Sequence, residues 1–230
     1  MLILKGVSKS IIRKGLLGKN RKSVKILNDI NFQIENSDSI ALLGENGSGK
    51  TTLLKIISGI TLSNSGEIIK QEAIKCSIVG ANENSFFQRI SVLDNLRFFY
   101  AESPKDFQNK VSWALSKMGI EEKMHQIYST LSSGEKKKIA IARALMRKTD
   151  ILLLDEVTSF LDLKSKYELI NMLKELLESK ELKSIVFVTH NLDEAEALSN
   201  RVIMLKNGCL RLDAKSDEID FSADLLEKYQ

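Results

Sequence analysis

Long apolar runs, prolines and paired cysteines are nearly absent from this 230-residue chain, and each absence excludes something. Its longest apolar stretches, such as Ile151 to Leu154 and Ile185 to Val188, fall far short of the roughly 18 residues that a bilayer crossing needs. The chain is therefore not expected to span a membrane. The start, Met1-Leu2-Ile3-Leu4 followed by lysine, lacks an apolar segment of signal-peptide length, so a cytoplasmic location is expected. Cys76 and Cys209 are neither close together nor set in a metal-ligand pattern, which points to reduced, structural thiols. The one proline, Pro104, leaves element boundaries to be read from periodicity and glycine. No repeat or low-complexity tract is present. With 43% hydrophobic residues, the chain can bury the core of one compact domain.

Acidic residues are missing from one region. Residues 1–28 carry eight Lys/Arg and no Asp/Glu, so of the net +4 (34 − 30) the remaining residues hold 26 − 30 = −4. Such a basic arm on a mildly acidic body suits lipid headgroups, nucleic acid or an anionic substrate, or is simply a solvated loop.

Short apolar runs bounded by turn residues recur at Ile40–Leu43, Cys76–Val79, Ile151–Leu154, Ile185–Thr189 and Val202–Leu205, and Ile30–Ile34 alternates with period two. These read as strands. Between them lie helical patterns such as Tyr167, Ile170, Leu173 and Leu177. Alternation of this kind predicts an α/β fold with a mostly parallel sheet. Residues 82–145 show apolar spacing of helical type and no strand, so a mainly helical lobe is expected there, inserted between core segments at about 1–81 and 146–230.

Gly44-Glu45-Asn46-Gly47-Ser48-Gly49-Lys50-Thr51 follows a predicted strand and precedes a helical run from Thr52 to Ser58, and it fits G-x-x-x-x-G-K-[ST]. Glycines let successive backbone N–H groups close around a phosphate at a helix N-terminus. Lys50 would reach the terminal phosphates, Thr51 would offer a hard oxygen to Mg²⁺, and Thr52 could donate to the α-phosphate. Ile151–Leu154 runs into two adjacent acids, of which Asp155 would sit near Mg²⁺ and Glu156 could hold an attacking water as general base. These residues predict ATP and Mg²⁺ as cofactors.

Leu131-Ser132-Ser133-Gly134-Glu135 opens a predicted helix from Glu135 to Met146 with a capping box, Ser132-x-x-Glu135. The positive end of its dipole lies at a turn of small residues, suited to an anion. Residues 131–145, LSSGEKKKIAIARAL, resemble the LSGGQ signature and following helix of ATP-binding-cassette (ABC) ATPases, and they stand just before ILLLDE as in that family. Ser159-Phe160-Leu161-Asp162 is similar to the family's D-loop, and His190 to its switch histidine. The similarity covers nearly the whole chain. It implies a P-loop NTPase (RecA-like) core with a mixed sheet, an N-terminal antiparallel β subdomain and an inserted helical subdomain. It further implies head-to-tail pairing with a second nucleotide-binding subunit, expected to be an identical chain, in which Ser132, Ser133, Gly134 and Glu135 act on the partner's ATP. His190 would contact the γ-phosphate, and Asp162 would communicate across the dimer.

Three positions depart from the family pattern. Asn82 stands where a metal-reaching glutamine is usual, one methylene shorter; no aromatic residue suited to stacking on adenine occurs in residues 1–31; and Val157 replaces a proline after Glu156. The resemblance implies a transport ATPase on the cytoplasmic face of the membrane, working with a separate permease. Phe86 or Phe87 is either the contact, if exposed, or lobe core, if buried, and Phe98, Phe99 and Tyr100 are expected to pack inside the lobe. The long, basic segment Ser10–Lys25 is similar to a lengthening found in exporters of polysaccharides and teichoic-acid-like glycoconjugates, which implies export of such a substrate, with export of small molecules or lipids as the other option. A soluble cassette ATPase, such as an iron–sulfur assembly scaffold, is the alternative. Nucleic-acid binding is not expected, since such cassettes usually come in pairs or carry a long coiled-coil insert.

Overall fold

The computed structural model describes residues 1–14, 21–71, 74–80, 85–100, 104–159, 161–222 and 225. Two sheets organise them. Strands β1 (Leu2–Lys14), β2 (Arg21–Ile34) and β4 (Ser65–Lys70) form an antiparallel sheet in the order β2-β1-β4. Strands β3 (Ser39–Leu43), β5 (Cys76–Val79), β6 (Ile151–Asp155), β7 (Ser184–Val188) and β8 (Arg201–Lys206) are parallel, in the order β5-β6-β7-β3-β8. At the edge, β9 (Cys209–Lys215) runs antiparallel to β8 and makes the sheet mixed.

The helices are α1 (Lys50–Ile57), α2 (Val92–Phe98), α3 (Pro104–Lys117), α4 (Ser133–Leu145), α5 (Leu163–Glu178) and α6 (Leu192–Leu198). The apolar character of the parallel strands follows from burial on both faces. Ile40, Leu42, Ile151, Leu153, Val186, Val188, Ile203 and Leu205 pack with α1 and the antiparallel sheet. Their neighbours Ala41, Leu43, Leu152, Leu154, Ile185, Phe187, Val202 and Met204 pack with residues of α2 to α6. One apolar layer thus fixes the phosphate loop's helix against the sheet. The other fixes α4 and α5, which carry the remaining candidate residues.

Two side-chain expectations are corrected. In α5 the buried stripe is Leu169, Ile170, Leu173 and Leu176, offset from the expected one, and Tyr167 is 54% exposed, outside that stripe. Near α2, Phe86 is buried, stacked on Tyr128 with centroids 4.6 Å apart, whereas Phe87 and Phe98 are exposed and meet edge to face at 4.8 Å. Helical spacing explains Phe98: Val92, Asn95 and Leu96 occupy the inner face of α2, and a residue two further on from Leu96 points away from it. Buried Asn95 sets Phe87, because its Oδ1 accepts from the Phe87 N–H at 2.7 Å and its Nδ2 donates to the Phe87 carbonyl at 2.9 Å. Both cysteines are free thiols.

Candidate nucleotide site

Ligand sites in open α/β sheets gather at the carboxyl ends of the strands, and here three adjacent strands deliver candidate residues to that edge. From β3 the chain enters the loop 44–49. Gly44 has φ +140° and Gly49, the N-cap of α1, has φ +107°; a Cβ on Gly49 would lie 2.7 Å from Leu27 Cδ2 and 2.9 Å from the Ile26 carbonyl. Only glycine fits so close an approach at that dihedral. The β8–β9 turn supports the loop from behind, the Gly208 N–H donating to the Ser48 carbonyl at 3.1 Å.

Helix α1 has no side-chain cap and no acidic residue in its first turn, so its positive end is left for an external anion. Lys50 is buried, with Nζ donating to the carbonyls of Gly44 at 2.6 Å and Glu45 at 2.9 Å. Burial lowers its pKa, and the nearby charges of Glu156, Asp155 and Glu45 act in the opposite sense. The buried Ser48 hydroxyl has no hydrogen-bond partner among the described residues. An orphaned donor, a buried ammonium and an uncapped helix start together suit a polyphosphate.

From β6 comes Asp155, whose Oδ1 accepts from the Thr51 hydroxyl at 3.1 Å. Burial raises its pKa, and the Thr51 hydrogen bond works against that shift. A hydroxyl beside a half-buried carboxylate is a donor set of hard oxygens, which fits Mg²⁺. Glu156 follows at φ +53°, a conformation that few non-glycine residues adopt. Its Oε1 lies 3.0 Å from Nε2 of His190, which stands beyond β7. Both side chains are partly exposed.

The Ser132–Glu135 turn is placed separately, at the start of α4. Ser132 Oγ accepts from the Glu135 N–H at 3.2 Å, and Glu135 Oε2 accepts from the Ser132 N–H at 2.8 Å, completing the expected capping box. Its helix begins at Ser133, two residues ahead of the sequence expectation. The Ser132 backbone N–H, ahead of burial, holds the Glu135 carboxyl below its ordinary value, and Lys123 pairs with it at 3.0 Å. Asp162 caps α5 through the Ser165 N–H at 2.9 Å. Asn82 lies outside the described residues, as does Phe160.

Two buried polar residues near these loops were not read from the sequence. Lys137 reaches the Gly80 carbonyl at 3.0 Å, and Glu194 joins the loops after β6 and β7. Lys137 lies far in sequence from Gly80, and Glu194 from Thr158, so no local spacing marks these contacts, although Asn191-x-x-Glu194 has the spacing of a helix cap.

The family model described as ABC transporter matches residues 27–159, and one described as AAA domain, putative AbiEii toxin, Type IV TA system matches residues 125–194. The spermidine/putrescine import ATP-binding protein PotA of Borrelia garinii subsp. bavariensis is 34% identical over 85% of this chain, which spans only 59% of that relative's length. The energy-coupling factor transporter ATP-binding protein EcfA1 of Streptococcus sanguinis is 31% identical over 88% of this chain and 77% of its own. Among solved structures, the dimeric post-hydrolysis state of the ATP-binding cassette MJ0796, bound to ADP and phosphate, superposes with a TM-score of 0.77 at 27% identity, covering 94% of this chain and 99% of the other. The chain belongs to the ABC transporter family.

Proposed function

We propose that this chain binds ATP and Mg²⁺, hydrolyses the ATP, and uses the cycle to drive a separate membrane permease. The observation that carries the reading is the convergence of Lys50, Thr51, Asp155, Glu156 and His190 at one edge of the sheet. In this reading residues 44–49, Thr51 and Thr52 cradle the phosphates with backbone N–H groups, and Lys50 leaves its loop carbonyls to pair with the terminal ones. Thr51 and Asp155 hold Mg²⁺, with Asn82 assigned to the same ion by resemblance alone. Mg²⁺, when bound, offsets phosphate charge and fixes the polyphosphate's orientation. Glu156 orients and deprotonates the attacking water, and His190, against Glu156, faces the γ-phosphate.

Ser132, Ser133, Gly134 and Glu135 serve the nucleotide of a second, identical subunit, a pairing supported by the dimeric relative. In this division residues 82–145 form the helical lobe and the remainder the core. The permease docks over the exposed Phe87–Phe98 pair, since exposed aromatics that touch one another mark a contact surface. No helix among the described residues is long and apolar enough to cross a membrane, in keeping with a separate permease and peripheral attachment. For direction of transport, the import protein PotA supports uptake, whereas export of a glycoconjugate has only the basic segment in its favour. The transporter names of both relatives support this reading over a soluble scaffold.

The deciding experiment is Glu156→Gln, assayed for nucleotide binding and steady-state hydrolysis. Binding should persist while turnover falls by roughly 10² to 10⁴. Near-normal hydrolysis would remove Glu156 as the base and with it this mechanism.

A further inference from the structure

We propose that Glu194 is a positioning residue for hydrolysis, clamping the Glu156 and His190 loops into one geometry and tying both to the start of α5. The inference rests on the roles given above to Glu156 and His190. Those two residues follow adjacent parallel strands, and the last sheet hydrogen bond there is the Glu156 N–H donating to the Val188 carbonyl at 3.3 Å, which leaves the side chains of both loops to be placed by other contacts. Their mutual contact at 3.0 Å is partly exposed to water and cannot by itself fix two loops.

Behind them lies a better anchor. Glu194, in the first turn of α6, is only 5% exposed. Its Oε2 accepts from the Thr158 hydroxyl at 2.8 Å and from the Thr189 hydroxyl at 2.6 Å. Thr158 lies two residues after Glu156, and Thr189 immediately precedes His190. Its Oε1 pairs with Lys166 Nζ at 2.7 Å, and the Lys166 N–H donates to the Asp162 carbonyl at 3.0 Å, so the clamp extends to the turn that begins α5.

The chemistry favours a carboxylate here. Two hydroxyl donors on one oxygen and an ammonium on the other require acceptors on both, which a carboxylate supplies and an amide does not. In a buried setting such bonds are stronger, and losing one costs more, than at the surface. The Thr189 hydroxyl also accepts from the Asn191 N–H at 3.0 Å, and Asn191 Oδ1 accepts from the Glu194 N–H at 3.1 Å. The His190 turn is therefore fastened on both sides of the histidine.

The test is steady-state ATP hydrolysis by the full chain, with nucleotide affinity and thermal melting measured on the same samples. Glu194→Gln and Thr189→Val should each lower kcat roughly tenfold to a hundredfold, the size expected for a displacement of about 1 Å at the reacting groups. KM and nucleotide Kd should stay within about twofold, because most phosphate contacts are assigned to residues 44–52 and only His190 lies on a clamped loop. Thr189→Ser, which restores the hydroxyl, should restore kcat. In the Glu194→Gln background, adding Thr158→Val and Thr189→Val together should cost little further turnover, as partners in one network do not add. Wild-type kcat in Glu194→Gln, or in Thr189→Val should the former not fold, overturns the clamp, and so does a Thr189→Ser variant as impaired as Thr189→Val. Glu156→Gln assayed alongside separates the two levels. A dead Glu156→Gln with fully active clamp variants refutes only the clamp, whereas an active Glu156→Gln refutes the site reading beneath it.

Discussion

Replacing Ser132 by aspartate separates two meanings of the turn that starts α4. Within one subunit Ser132 is a helix cap, accepting from the Glu135 N–H at 3.2 Å while Glu135 reaches back to the Ser132 N–H at 2.8 Å. Aspartate caps a helix as well as serine does, so Ser132→Asp leaves the helix start intact. The new carboxylate stands three residues from Glu135, a like-charge pair worth about 0.2–0.5 kcal/mol, and Lys123 at 3.0 Å offsets part of it. If a partner's phosphate docks on this turn, the same carboxylate faces it. Two unit charges about 4 Å apart at an effective dielectric near 20 repel by about 4 kcal/mol, close to a thousandfold in association. The two readings thus differ by about tenfold in energy. Sedimentation velocity of the Glu156→Gln chain in ATP, with and without Ser132→Asp, reads the association, and circular dichroism melts read the cap. The expected result is an unchanged melt, within about 2 °C, and loss of the ATP-dependent dimer. A dimer that persists at the same concentration refutes the composite site.

Asp155→Asn should stabilise the nucleotide-free chain increasingly as pH rises. Burial places the folded pKa above the 3.8 of an unfolded aspartate, so the wild type has its full contribution below 3.8 and loses it as pH rises through the folded value, a loss that asparagine escapes. Urea midpoints at pH 4.5 and pH 7 measure it, and a gap that shrinks toward pH 7 contradicts the burial argument. Gly44→Ala would drive a Cβ into the Leu205 carbonyl at φ +140°, costing at least about 3 kcal/mol in urea unfolding and weakening nucleotide binding; a loss under 1 kcal/mol would mean that the loop relaxes freely. Phe98→Ser, at a site 67% exposed, should change stability by no more than about 0.5 kcal/mol yet reduce co-purification with a membrane protein, and undiminished co-purification would remove this face as the docking surface.

How much of this was legible in the sequence depended on whether the responsible contacts were local. The parallel strands were readable because burial on both faces makes each a short, continuous apolar run; β5 matches the expected Cys76–Val79, and β6 and β7 differ by one residue at their ends. The capping box was readable because its partners lie three residues apart. β4 and β9 were not, since β4 is largely exposed and β9 carries charged residues among its few apolar ones, leaving no core signal. The stripe of α5 was ambiguous because apolar residues at 169, 170, 173, 176 and 177 admit two faces, and only packing against the sheet chooses. Glu194 was invisible for the same reason in polar form, one partner lying 36 residues away. Lys50, Thr51, Asp155 and Glu156 stood out individually, but their meeting required the strand order β6-β7-β3, which no spacing encodes.

The electrostatics of the phosphate loop bear on why such a protein would work as a pair. Burial opposes the charged forms of both Lys50 and Asp155, lowering the pKa of one and raising that of the other. Lys50 donates to the Gly44 and Glu45 carbonyls, with the charges of Glu156, Asp155 and Glu45 offsetting only part of its burial, and the Ser48 hydroxyl meets no partner among the described residues. A polyphosphate relieves the first and third of these costs and a divalent cation the second, so nucleotide should raise the chain's stability by RT ln(1 + [L]/Kd), about 2.7 kcal/mol at a hundredfold excess over Kd. Ser132, by contrast, is exposed, with its capping hydrogen bonds complete within its own subunit. In the proposed pairing, one subunit would hold its nucleotide from the loop side, and its exposed Ser132 turn would meet the nucleotide of the partner. That division would let binding tighten the subunit first and the dimer second, and it predicts that ATP stabilisation of the Ser132→Asp monomer equals that of wild type at concentrations too low for pairing. A monomer that no longer responds to ATP would place Ser132 in its own subunit's site and end the two-subunit argument.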